Sequence, residues 1–131
     1  MSDLKYARLW WGLGCGLLIF IVYVSVADLS LPQVHASFGD KVNHLLAYGL
    51  LTGWFGQLIK SSQNRFIAAF GFAVLGMVME IIQGTLPHRW FAMQDALANS
   101  LGVIIALAVL QYGGHTILLR FEKTLSKLTS N

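Results

Sequence analysis

Four apolar runs, each long enough to cross a bilayer, occupy most of this chain: Leu9–Ala27, Val42–Ile59, Phe66–Leu86 and Ala96–Leu119. A spanning helix needs about 17–25 mostly apolar residues. Of the 131 residues only 11% are charged, against about 25% in an ordinary soluble domain. Mean hydropathy is +0.62. Almost nothing is left over for a soluble domain. Residues 1–131 therefore read as one all-α integral membrane domain, a bundle of four transmembrane helices.

The formal net charge of +3 does not point to nucleic acid, because its distribution has another explanation. Lys5 and Arg8 precede the first run, Lys60 and Arg65 lie between the second and third, and Arg120, Lys123 and Lys127 follow the fourth. The other two connections carry only Lys41 and Arg89. With four helices these groups fall on alternate sides, and the positive-inside rule places both termini in the cytoplasm. The 28–41 and 87–95 connections then face outward.

The first run also resembles a secretory signal ending in Ser25-Val26-Ala27, but its apolar stretch exceeds the usual 7–15 residues, so it is read as a retained helix. Gly12 and Gly16 form a GxxxG pattern that admits close approach of another helix, and a homo-oligomer is one use of it. Cys15 is the only cysteine, so no intrachain disulfide exists, and it reads as a packing residue. Tyr6, Trp10 and Trp11 suit one interfacial aromatic belt, and Trp90 and Phe91 the other. Gly113-Gly114 could end the spanning part of helix four early. Beyond them Ile117, Phe121, Leu125 and Leu128 recur at helical spacing among basic residues, the pattern of an amphipathic tail on the cytoplasmic surface.

Glu80 is the only charged residue in Phe66–Leu86. A charge at membrane depth costs roughly 2.5–3.5 kcal/mol on insertion scales, so such residues face a protein interior or a watery cavity. Helix two opens with Asp40, Lys41, Asn43, His44 and Tyr48; residues 40, 44 and 48 share a face. Glu80 and Gln83 share a face near the end of helix three, with Gly76 leaving room for a neighbour. Asp95 and Asn99 open helix four, followed on the same stripe by Gly102. At 1.5 Å per residue Glu80 lies roughly 20 Å from the inner end of a ~30 Å core. Three helices thus present polar faces at one depth in the outer leaflet, beneath His88 and Arg89.

Such a cluster can be interhelical hydrogen-bond glue, a buried Glu80–Arg89 ion pair, or a site. As a site, Glu80 or His44 would be the candidate general base. Arg89 and Lys41 would hold an anionic group such as phosphate. His44, His88, Glu80 and Asp95 are metal-ligating types, but no metal-binding spacing is present, so neither metal nor other cofactor is expected. There is no GxSxG, no Walker loop and no cysteine nucleophile.

The order Asp40-Lys41-x-x-His44-x-x-x-Tyr48, Glu80-x-x-Gln83, Arg89 and Asp95-x-x-x-Asn99-x-x-Gly102 resembles the motif set of the VanZ-like family, across about half the chain. The family is named for a protein linked to teicoplanin resistance. The resemblance implies a small multi-pass protein of the bacterial cytoplasmic membrane. It marks Asp40, Lys41, His44, Tyr48, Glu80, Gln83, Arg89, Asp95 and Asn99 as motif positions without assigning them roles. The leading expectation is a cell-envelope protein that recognises a lipid headgroup, a lipid-linked precursor or a glycopeptide. The alternatives are a membrane-embedded hydrolase or transferase acting on a lipid-linked substrate, and a structural subunit of a membrane complex.

Overall fold

The computed structural model describes residues 3–27 and 37–128, all helix and connection with no strand among them. Five helices follow in order: α1 Ala7–Val26, α2 Ser37–Leu58, α3 Ser62–Gly84, α4 Met93–Gln111 and α5 Ile117–Leu128, with one 3-10 turn at Gly114–Thr116. The signal-like Ser25-Val26-Ala27 closes α1; the 28–36 part of the next connection lies outside the described residues.

Three helices, α1, α3 and α4, are long and apolar enough to cross a membrane. The second expected span, Val42–Ile59, corresponds to α2, which has the length but falls short on composition, because Asp40, Lys41, Asn43, His44 and Gln57 interrupt the helix. Position in the bundle explains this. Helix α2 is the hub, packed against α1, α3 and most extensively α4. Its Tyr48, Leu51, Phe55 and Leu58 are buried in the core with Ala69 of α3 and Val103 of α4. A helix covered by its neighbours has less need of an apolar exterior. The outer helices show the reverse pattern: Ile19 and Phe20 of α1, Ile67 and Phe70 of α3, and Leu97 and Ile104 of α4 are all more than half exposed. Large exposed apolar surfaces mark contact with a partner or with lipid.

Two glycines bring α2 and α4 into backbone contact. A Cβ at Gly49 would lie 3.3 Å from the Gly102 carbonyl oxygen, and a Cβ at Gly102 would overlap the Leu45 carbonyl oxygen. Helix α1 docks on α2 through Gly14, whose Cβ would lie 2.8 Å from the Trp54 ring. The Trp54 indole N–H donates to the Trp10 carbonyl at 3.0 Å. Within the chain the contact is made by Gly14; Gly12 and Gly16, the GxxxG pair on either side of it, have no described atom within 4 Å of a Cβ placed on them. Cys15 is likewise exposed rather than packed.

The fourth expected span, 96–119, is also corrected. Helix α4 stops at Gln111, and Gly113 adopts φ +104°, a left-handed conformation that glycine takes without a Cβ penalty and that ends helices. The remainder turns into α5. This helix is amphipathic as expected, with Ile117, Phe121, Leu125 and Leu128 exposed on one side. The opposite side is docked. The Gln57 side-chain oxygen accepts from Leu118 N–H at 2.8 Å. Glu122 is buried and accepts from Lys5 N–H at 2.7 Å, Tyr6 N–H at 3.0 Å and the Trp10 indole N–H at 2.6 Å. A carboxylate here pairs donors that the start of a helix leaves unpaired, and it faces the positive end of the α1 dipole. The start of α1 and helix α5 therefore sit together at one end of the bundle.

Candidate functional site

The polar residues gather at the opposite end, where α2 and α4 begin and α3 ends. Antiparallel packing of α2 on α3 and of α3 on α4 forces this meeting. Gly76 makes it possible: a Cβ there would be 3.0 Å from Asn99 Cβ and 3.2 Å from the Tyr48 ring. Asn99 fills the space, 1% exposed. Its amide Nδ2 donates to the Gly76 carbonyl at 3.4 Å, which turns Oδ1 toward Nδ1 of His44 at 3.1 Å. Because Oδ1 only accepts, His44 Nδ1 carries the proton. The other ring nitrogen, Nε2, lies 3.7 Å from Asp95 Oδ2, both side chains being nearly buried.

Above this network opens a cavity of about 230 Å³. Its polar lining comes from Asp40, Asn43, His44, Tyr48, Gln83 and Arg89, and its apolar wall from Phe20, Ile21 and Val24 of α1. Gln83 is 3% exposed and donates to the Ser25 carbonyl at 2.9 Å, tying α3 to the end of α1. Tyr48 is 2% exposed and its hydroxyl has no hydrogen-bond partner among the described residues.

The nine motif residues divide by position. Asp40, His44, Tyr48, Gln83 and Arg89 line the cavity. Asn99 stands behind His44 and orients it, and Asp95 lies 3.7 Å from its other ring nitrogen. Glu80 lies beneath, 1% exposed and away from the cavity wall. One of its oxygens accepts from Ala92 N–H at 2.8 Å and the other has no partner among the described residues. Ala92 is the N-cap of α4, so Glu80 fixes the start of that helix and meets the positive end of its dipole. No ion pair joins Glu80 to Arg89 among the described residues. Lys41, half-buried, and His88, exposed, both lie outside the cavity lining. Arg89 is therefore the basic side chain among the described lining.

Sequence reasoning missed the contribution of α1. Ser25 was legible as a polar residue near the end of an apolar run, but nothing in the spacing turns Phe20, Ile21 and Val24 toward His44. Compared with known proteins, the chain matches no family model, no curated protein and no solved structure.

Proposed function

We propose that this is a VanZ-like cell-envelope protein of the cytoplasmic membrane. In this reading it crosses the membrane four times with both termini inside, and its outward-facing cavity recognises the anionic head of a lipid or lipid-linked precursor. The observation that carries the reading is the one-sided cavity. It is polar on α2 and α3, mostly apolar on α1, and its lining includes both an arginine and an imidazole oriented by Asn99. An apolar wall suits the glycerol or acyl part of a lipid, and a guanidinium suits a phosphate. Four spans follow from the apolar exteriors of α1, α3 and α4 together with the antiparallel course of α2 between them. The cytoplasmic placing of the termini follows from the excess of basic residues at that end.

The test is binding of short-chain phosphatidic acid by purified protein. Arg89→Ala is expected to weaken it by about 10–150-fold, the loss of a charge-assisted hydrogen bond worth roughly 1.5–3 kcal/mol. Equal affinity of the variant and the unmodified protein rejects the reading. A membrane-embedded hydrolase or transferase is the second reading, favoured by His44. Its ring is held by Asn99 and opens on the cavity, the geometry a general base needs. Glu80 is the weaker candidate base, since it contacts a backbone amide rather than the cavity. Turnover of a lipid-linked phosphate that disappears in His44→Gln would select this reading.

A further inference from the structure

We propose that Asp40, His44 and Asp95 hold one divalent cation, Zn²⁺ or Mn²⁺, at the mouth of the cavity. One ligand atom from each residue lies within 4.8 Å of the others. The geometry of His44 gives the reason. Its Nδ1–H is committed to Asn99 Oδ1, so a neutral ring presents the Nε2 lone pair to Asp95 Oδ2 at 3.7 Å. That distance is too long for an N–H···O bond. It suits two atoms that share an ion at about 2.0–2.2 Å from each. A lone pair opposite a carboxylate repels it, and a second carboxylate, from Asp40, adds to the negative charge. A cation between the three removes both penalties.

Two further features fit. The Asn99 bond to His44, itself fixed by the Gly76 carbonyl, is the outer-shell support that metal-bound imidazoles have almost without exception. Tyr48, 2% exposed, lines the same cavity, and its buried hydroxyl has no partner among the described residues. Three protein ligands leave coordination positions open on the cavity side for water or an anionic oxygen. One imidazole with two carboxylates suits Zn²⁺ or Mn²⁺, whereas all-oxygen sites suit Mg²⁺ and Ca²⁺ and thiolates suit Cu(I). This departs from the sequence expectation of no metal. Asp40 and His44 lie one turn apart on α2, but the third ligand comes from α4 and leaves no spacing to read.

The test uses tag-free protein, stripped with a chelator and titrated with ZnCl₂ and with MnCl₂ by calorimetry, with Mn²⁺ followed also by its paramagnetic resonance. One site per chain is expected. Asp40→Asn, His44→Gln and Asp95→Asn should each weaken it by roughly 10–100-fold or more. Asp40 is exposed, so its variant keeps the fold, which circular dichroism checks. Cys15→Ser, on the exposed side of α1 and outside the ligand set, binds as the unmodified protein does. Failure of both ions to bind at millimolar concentration overturns the proposal, as does equal binding by Asp40→Asn and His44→Gln; the His44–Asp95 contact is then an ion pair of the protonated ring. The two proposals fail separately. Cation binding without phosphatidic acid binding removes only the lipid reading, and phosphatidic acid binding that a chelator leaves untouched, in a protein that takes up neither ion, removes only this one.

Discussion

Gly102→Ala isolates the contact on which the cavity depends. The added Cβ would overlap the Leu45 carbonyl oxygen and lie 3.0 Å from the Gly49 amide nitrogen. Both are backbone atoms, so no rotamer change can relieve the clash and α2 must move away from α4. Overpacking of this kind costs about 1–3 kcal/mol, and the upper part of that range applies where backbone must shift. Gly53, one turn further along α2, has nothing within 4 Å of its own Cβ position. Gly53→Ala therefore gains helix propensity of up to about 1 kcal/mol and meets no obstacle. The two variants should differ by about 2–4 kcal/mol in unfolding from detergent micelles, followed by helical circular dichroism against denaturant. Separation of α2 from α4 also stretches the 3.1 Å His44–Asn99 bond, so Gly102→Ala should lose ligand binding even at temperatures where it stays folded. Equal stability of the two alanine variants would refute the backbone contact and the placement of His44 that rests on it.

Glu122 gives a pH signature. Burial alone would raise its pKa, but the Trp10 indole and the Tyr6 and Lys5 amides outweigh this and hold it below the ordinary value of 4.5. A depressed carboxyl contributes stability that is complete above its unfolded pKa and is lost as pH falls through the folded one. Melting temperature should fall below about pH 4.5, and Glu122→Gln should flatten that fall, which melts between pH 3 and 6 would check. Glu80→Gln keeps an acceptor for the Ala92 amide and should stay within about 1 kcal/mol of the unmodified protein. Glu80→Ala leaves that amide unpaired and should cost about 1–3 kcal/mol. Gly12→Ala and Gly16→Ala should not lower the melting temperature of the monomer and should raise it slightly, by up to about 1 kcal/mol of helix propensity each, since neither Cβ meets a described neighbour.

Much of this end of the molecule was legible in the sequence because helical spacing and chain direction are both strong constraints. Residues 40, 44 and 48 fall on one face, and antiparallel connections then set Asn99 and Gly76 opposite them. The roles within the cluster were not legible. Glu80 and Gln83 are three residues apart, about 60° around the helix. That rotation is enough to open Gln83 to the cavity and to close Glu80 under α4. The single end of α4 at Gly113 was readable from a glycine pair, whereas the docking of α5 was not. On an amphipathic helix Glu122 looks like a water-facing residue, and only the fold shows the three donors from the start of α1 that surround it. A GxxxG pattern marks where a helix can be approached. It carries no information about which side the neighbour occupies, and in α1 the neighbour took Gly14.

Native mass spectrometry of the protein released from detergent measures the central claim most directly. The account predicts a phospholipid-sized adduct retained on the chain and lost in Arg89→Ala, while Gly53→Ala, distant from the cavity, keeps it. A protein that carries no lipid, or an Arg89→Ala variant that carries as much as the unmodified chain, would contradict it.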